Sequence, residues 1–172
     1  MFRTILAAAF SVLLASAASA ATLITSHNPT PAELLVLGGT SLDLPGGASW
    51  LDAPAYGFTV PDQVAGSTEN VARSPYEYLG AGQYEDITYW NVPGTAGHQE
   101  SALMFNHLMG SLSFLWGSPD SYNYVTLINR AALGDWQYLI VALSDLGSPD
   151  TPPVGGGASY VTIKGFSFDK VV

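Results

Sequence analysis

The chain has 172 residues, with 14 acidic and 5 basic side chains and a net charge of −9 when the histidines are neutral. An acidic surface of this kind repels phosphate backbones, which argues against nucleic acid as a partner. The sequence contains no cysteine, which excludes thiol catalysis, disulfide bonds and thiolate metal sites.

Residues 1–20 have the pattern of a secretory signal peptide. Arg3 supplies the positive charge, residues 4–14 are mostly apolar, and Ala18-Ser19-Ala20 provides the small residues that precede a cleavage site. The apolar stretch is shorter than the roughly 20 residues that a membrane span needs. We therefore expect export, cleavage before Ala21, and a mature chain without a membrane span.

Short runs of aromatic and β-branched residues, separated by Gly and Pro, dominate the rest of the sequence. The chain has 18 glycines and 11 prolines, which fall at short intervals. This rhythm predicts an all-β fold, namely an antiparallel, jelly-roll-like β-sandwich with one or two short helices. We expect a single domain over 21–172. Because 166–172 reads as an unfinished strand, we also expect it to be truncated at its C-terminus.

The clearest strand is 111–116, where alternation places Leu112, Phe114 and Trp116 on one face. A short turn rich in Gly, Pro and Asp then leads to a second strand at 122–128. Such a short connection predicts that these two strands pair as a hairpin.

Further strands are predicted at 21–26, 86–92, 135–143 and 160–172. Residues 135–143 are apolar on both phases, which predicts a strand covered on both faces. The alternation in the last strand slips at Lys164-Gly165, which predicts a β-bulge.

Three segments are less regular. Residues 31–37 and 99–109 each fit either a short helix or a buried strand. Residues 146–158 are rich in Gly and Pro and predict a surface loop.

Aromatic residues crowd the segment 76–90 and suggest a binding surface. Exposed rings on a β-sheet can stack on sugars, so a glycan-binding platform is one interpretation and core packing is the other. The candidate ligand-binding residues are Tyr76, Tyr78, Tyr84, Tyr89 and Trp90. For Trp116 and Trp136 we expect core packing.

No catalytic constellation is evident. His27, His98 and His107 lack a nucleophile elbow and metal-binding spacing, so we expect exposed or locally bonded histidines. Glycoside hydrolysis needs two carboxylates facing each other across a cleft. Glu77, Glu85, Asp86 and Asp120 are candidates only because they lie among aromatics. We expect a protein that is not an enzyme.

Loop carboxylates and amides are potential calcium ligands. Asp120 with Asn123, and Asp145 with Asp150, are the places where a structural calcium ion would bind. The alternative is that each is a turn residue of the Asx type. No other cofactor is expected.

The run Trp116-Gly117-Ser118-Pro119-Asp120-Ser121-Tyr122-Asn123 is distinctive. It resembles a Trp-Gly-Ser-x-Asp-x-Tyr-Asn motif of secreted bacterial proteins of the PEP-CTERM class, which exosortases sort. Residues 72–77 and 160–172 are similar to other segments of such ectodomains. The resemblance implies that Trp116 and Tyr122 flank a turn, in which Asp120 and Asn123 satisfy loop amides.

The resemblance also implies a destination. Proteins of this class carry a signal peptide, a β-rich ectodomain and a sorting tail, so we expect a longer parent protein that carries the tail. The expected location is periplasmic, cell-surface or extracellular in a Gram-negative bacterium.

The sequence therefore predicts a non-enzymatic surface or extracellular-matrix protein that contacts exopolysaccharide through exposed aromatics. Other envelope proteins are the second class of expected partner. The alternative is a structural protein of the envelope or biofilm that self-associates, and a carbohydrate-active enzyme comes third.

Overall fold

The computed structural model describes residues 21–38, 44, 47–67, 74–79, 82–92, 100–117, 123–130, 136–146 and 158–172. The predicted signal peptide and most of the predicted surface loop at 146–158 lie outside these ranges.

The described part of the chain consists mainly of antiparallel strands, so the predicted all-β class is confirmed. The strands are β1 (Leu23–His27), β2 (Ala48–Trp50), β3 (Asp62–Ala65), β4 (Thr88–Asn91), β5 (Leu103–Gly117), β6 (Tyr124–Asn129), β7 (Gln137–Ala142) and β8 (Ala158–Val171). The helix α1 spans Pro31–Gly38, and short 3-10 turns occupy Pro54–Tyr56, Glu77–Leu79 and Leu143–Leu146. Among these elements, no helix is long and apolar enough to cross a membrane.

One six-stranded sheet contains most of the strands, in the order β2-β5-β8-β6-β7, with β1 also paired to β8. In the described residues, the second sheet consists of β3 and β4. The sandwich and its jelly-roll topology remain predictions.

The predicted hairpin between the strands at 111–116 and 122–128 is wrong. Both strands form, as β5 and β6, but β8 lies between them and pairs with each. A short connection favours local pairing only when no other strand competes for the same edges. Here β8 pairs with β5 along most of its length, and β6 pairs with the end of β8.

The predicted bulge at Lys164-Gly165 is confirmed. In the β5–β8 ladder, Ser111 lies opposite Lys164 and Met109 lies opposite Phe168, so two steps along β5 match four along β8. Gly165 has a φ of 86°, which residues with a side chain rarely adopt. A Cβ at Gly165 would also lie 2.6 Å from the carbonyl oxygen of Ala21.

The main core is one hydrophobic cluster built from strands of the large sheet and from Leu146 of the turn that follows β7. Its fully buried side chains include Leu127, Val141, Val161, Ile163 and Phe168. Leu112, Phe114 and Trp116 all pack against this cluster, as their shared face predicts. Each fully buried aliphatic or Phe side chain contributes roughly 1.5–3 kcal/mol to folding.

A second, smaller core joins α1 to the two-stranded sheet. Leu34 of α1 packs there with Leu79 and with the rings of Tyr76 and Tyr89. Trp50 of β2 meets Trp90 of β4 edge to face, with ring centroids 5.4 Å apart, and so links the two sheets.

The two ambiguous segments resolve in opposite ways. Residues 31–37 are helical because Thr30 and Glu33 form a capping box: the Thr30 N–H donates to Glu33 at 2.8 Å, and the Glu33 N–H donates to the Thr30 hydroxyl at 3.3 Å. Residues 103–109 belong to β5, so the strand interpretation holds for that part of 99–109.

The expectation that 135–143 is covered on both faces is wrong. The segment forms β7, but β7 ends the sheet order, and only Leu139 and Val141 face the core. The other phase is exposed: Trp136, Tyr138 and Ile140 are 56, 57 and 61 % accessible. The apolar residues at alternating positions of this segment therefore form one buried face and one exposed face.

Candidate functional surface

An exposed apolar stripe runs along the outer strands of the large sheet. Tyr138 and Ile140 alternate on one face of β7, and Trp136, which directly precedes β7, continues the same alternation. Tyr124 of β6 is 55 % exposed. Register places Tyr124 opposite Ala142 and Thr126 opposite Ile140, so Tyr124 is a diagonal neighbour of Ile140. We call these four residues the β6–β7 stripe.

The stripe has the chemistry of a binding surface for an uncharged ligand. The stripe contains no Asp, Glu, Lys, Arg or His, and three of its four side chains are aromatic. Tyr and Trp combine a flat apolar face with a polar edge that can form hydrogen bonds. Contiguous exposed apolar side chains on a soluble domain often mark a site of interaction.

The aromatic residues predicted as a platform in 76–90 are largely used for packing. Tyr76 and Tyr89 are 3 and 8 % exposed, so their ring faces are not available to a ligand. The Tyr89 hydroxyl donates to the carbonyl of Gly66 at 3.0 Å, and burial raises the pKa of Tyr89, as does the nearby Glu77 carboxylate.

Two of the remaining members of that predicted platform also pack against other residues. Tyr84 is half-buried against the second core, and Trp90 packs on Trp50. Tyr78 lies in the 3-10 turn Glu77–Leu79. These contacts favour the core-packing interpretation for this segment.

Sequence reasoning missed the stripe because it assigned Trp136 to the core. The expectation of core packing is correct for Trp116, which packs against the main cluster and lies 5.8 Å from the Phe114 ring. It is wrong for Trp136. The signal that could have separated the two residues is position, since Trp136 directly precedes β7, the last strand in the order of the sheet.

The family-motif residues are described only in part. Trp116 and Gly117 end β5, and a Cβ at Gly117 would approach the Pro75 side chain to 3.1 Å. Asn123 directly precedes β6 and is half-buried. Asp120 and Tyr122 lie outside the described residues.

Each of the two predicted calcium pairs has one member outside the described residues, so both pairs remain predictions. Asp145 accepts a hydrogen bond from the Ala142 N–H at 2.8 Å and so caps the turn Leu143–Leu146. Asp120 and Asp150 lie outside the described residues. No group of three or more His, Asp or Glu in the described ranges is arranged to hold a metal ion.

The histidines that the structure describes are exposed and bonded locally, as predicted. His27 lies 3.2 Å from Glu33, and its ring is 5.4 Å from that of Tyr160. His107 contacts its neighbour Asn106 at 2.6 Å. His98 lies outside the described residues.

Two of the four carboxylates considered for hydrolysis have structural partners. Glu85 accepts a hydrogen bond from the Gly82 N–H at 2.6 Å, which holds the pKa of Glu85 below its usual value. A general acid needs a raised pKa instead. Glu77 accepts a hydrogen bond from the Ser67 hydroxyl, Asp86 is exposed, and Asp120 lies outside the described residues.

A shallow groove of about 360 Å³ lies between α1 and β8. It is lined by Ala32, Glu33, Val36 and Tyr160. Hydrogen bonds from the Thr30 N–H and hydroxyl lower the pKa of Glu33. Glu33 is therefore an anion whose main role is to cap the helix.

Lys170 is a buried cation that sequence reasoning did not single out. It is 9 % exposed, and its ammonium lies 4.0 Å from the centroid of the Phe58 ring. Burial lowers the pKa of Lys170, the charge of Arg130 lowers it further, and Glu100 opposes both. Such a cation is held by the ring and by its aliphatic stem.

The described geometry thus defines an all-β protein with an exposed aromatic stripe at one end of its sheet. A scan against protein-family models gave no match, and searches of curated proteins and of solved structures gave none.

Proposed function

We propose that the protein is a non-enzymatic, secreted surface or extracellular-matrix protein that contacts polysaccharide through the β6–β7 stripe. The observation that carries this proposal is the exposure of Tyr124, Trp136 and Tyr138 on one face. Export rests on the pattern of residues 1–20, and the destination rests on the resemblance of residues 116–123 to the PEP-CTERM class.

The net charge of the protein indicates which class of polysaccharide it can bind. The chain carries a net charge of −9, so an acidic polymer is repelled at long range. The stripe itself offers rings and hydroxyl groups but no cation to pair with a uronate or sulfate. We therefore expect neutral polysaccharides to bind in preference to acidic ones.

The test is retention on insoluble neutral polysaccharides and mobility in gels that contain soluble ones. Trp136→Ala and Tyr138→Ala should each reduce affinity by roughly tenfold, which corresponds to about 1.4 kcal/mol. The matched control is Tyr56→Ala, which removes a ring that is 83 % exposed outside the stripe. The proposal fails if the wild type binds none of the polymers, or if the Tyr56 variant loses as much affinity.

Self-association in the envelope or matrix is the second candidate function. It is favoured by the position of β7 at the end of the sheet, where no other described strand pairs with its outer side. Light scattering that shows size growing with concentration would support it, whereas a constant monomer mass at all concentrations would count against it.

A further inference from the structure

The direction in which the backbone N–H and C=O groups of β7 point follows from a hydrogen-bonded pair between β6 and the residue that follows β8. Thr126 of β6 and Val172 exchange both of their backbone hydrogen bonds, at 2.7 and 2.9 Å. In an antiparallel strand, the N–H and C=O of one residue point to the same side, and adjacent residues point to opposite sides. Thr126 therefore faces β8, and the residues on either side of it face β7.

The register then assigns each residue of β7. Val125 lies opposite Val141 and Leu127 lies opposite Leu139, so the backbone groups of Leu139 and Val141 point toward β6. Those of Tyr138, Ile140 and Ala142 point away from the sheet.

Asp145 supports this assignment independently. Its carboxylate accepts the Ala142 N–H at 2.8 Å, which requires that this N–H points away from β6. The same contact closes one end of the outer edge. Among the described residues, the outward N–H and C=O groups of Tyr138 and Ile140 have no backbone partner.

The edge also lacks the features that commonly prevent strand addition. Natural edge strands are often protected by charged residues, proline or a bulge. Residues 136–143 contain no charged residue, proline or glycine, in a chain whose net charge is −9. Two copies therefore meet at this edge without like charges on the strands that face each other.

We propose that a second copy of this chain adds to the outer edge of β7 in an antiparallel pair around a twofold axis at Leu139. In that register, Tyr138 of each copy lies opposite Ile140 of the other. The outward N–H and C=O groups of Tyr138 and Ile140 in one copy bond to those of Ile140 and Tyr138 in the other, which gives four new backbone hydrogen bonds. This pairing specifies the strand, the register and the stoichiometry of the self-association proposed above as the second function. The pairing does not depend on polysaccharide binding.

The available area sets the strength of this contact. A fully covered aromatic side chain buries roughly 150–250 Å², and Trp136 and Tyr138 are each more than half exposed. With Ile140 and the backbone edge, the two copies together bury on the order of 800 Å², below the 1,200–2,000 Å² of stable complexes. The dimer is therefore weak and concentration-dependent. The contact occupies the outer β7 edge of each copy, so no such edge remains for a third copy. The assembly therefore stops at a dimer and does not grow into a fibre.

Sedimentation velocity of the purified protein from roughly 10 µM to 1 mM tests the proposal. The wild type should pass from monomer to dimer over this range. Added salt should favour the dimer, because it screens the repulsion between the two acidic copies. A monomer at every concentration, or species larger than a dimer, overturns the proposal.

Ile140→Pro is the decisive variant. It removes an N–H that the sheet does not use, so the ladder with β6 is kept while the outer edge is blocked. We expect at least a tenfold weaker dimer with an unchanged circular dichroism spectrum. If proline disturbs the fold, Ile140→Glu decides instead, since it adds a carboxylate to the paired edge of each acidic copy. A variant that folds and dimerises as the wild type does overturns the proposal.

The ring variants separate this inference from polysaccharide binding. Trp136→Ala should lose retention on polysaccharide while its dimerisation changes less than that of Ile140→Pro. Ile140→Pro keeps all three aromatic rings of the stripe, so it should weaken retention on polysaccharide less than Trp136→Ala does. If Trp136→Ala abolishes the dimer and Ile140→Pro does not, the rings rather than the backbone edge form the contact, and the proposed pairing is wrong.

Discussion

Asp169 of β8 holds Arg130, the first residue after β6, through both its backbone and its side chain. The Arg130 backbone N–H donates to Asp169 Oδ1 at 3.0 Å and its Nε–H donates to Oδ2 at 3.0 Å. Nη2 lies 2.9 Å from Oδ2. Burial alone would raise the pKa of Asp169, but the hydrogen bonds and the charge of Arg130 leave it lowered.

Asp169→Asn should lower the free energy of unfolding by about 2 kcal/mol at neutral pH, because hydrogen bonds to charged groups contribute about 1.5–3 kcal/mol. Denaturation by urea measures the change. The matched control is Asp62→Asn in β3, an exposed carboxylate, which should change stability by less than about 0.5 kcal/mol.

The same pair predicts a pH dependence. Because the pKa of folded Asp169 is lowered, its stabilisation is complete above the ordinary carboxyl pKa of about 3.9 and disappears as pH falls through the folded value. The stability difference between the wild type and Asp169→Asn should therefore shrink below about pH 4. A difference that stays constant down to pH 2 would contradict this account.

Lys170→Met should raise the free energy of unfolding by about 0.5–1 kcal/mol at pH 7. The change removes a buried charge and keeps the stem, although it also removes the attraction to the Phe58 ring. Because burial lowers the pKa of folded Lys170, the penalty is present at pH 7 and is relieved as pH rises. The gain should therefore narrow toward pH 10. Lys164→Met, on the exposed part of the same strand, should have little effect at either pH.

Gly165→Ala should destabilise the protein by about 2 kcal/mol or more, because the left-handed conformation costs about 1–2 kcal/mol and the new Cβ meets the Ala21 carbonyl. Gly110→Ala is the matched control. It lies in β5 beside the same bulge, its φ is ordinary, and no atom lies within 4 Å of its Cβ position. Thermal denaturation should show a lower midpoint only for Gly165→Ala, and equal midpoints would refute the packing argument.

Local patterns in the sequence predict local structure well in this chain. Alternation identifies the shared face of Leu112, Phe114 and Trp116, and the slip in phase identifies the bulge at Gly165. Both depend only on the two-residue period of a strand. Hydrophobic periodicity alone does not distinguish helix from strand at 31–37, and the capping box of Thr30 and Glu33 is the feature that decides for the helix.

Pairing between distant segments is what the sequence did not reveal. The hairpin prediction failed because β8, which follows β6 in the chain, inserts between β5 and β6. The face of Trp136 was misjudged for the same reason, since only the strand order shows that β7 has one uncovered face. The candidate surface therefore became visible only with the sheet order.

The place of β8 in the sheet has a consequence for the timing of folding. β1, β5 and β6 contact β8 as their shared neighbour, and β8 is the last described strand to be synthesised. The centre of the sheet cannot assemble until residues 158–171 have left the ribosome. Contacts between such distant segments also form slowly. Under the proposed export route, this delay would keep the large sheet unassembled, and hence the chain able to cross a membrane, until β8 has been synthesised.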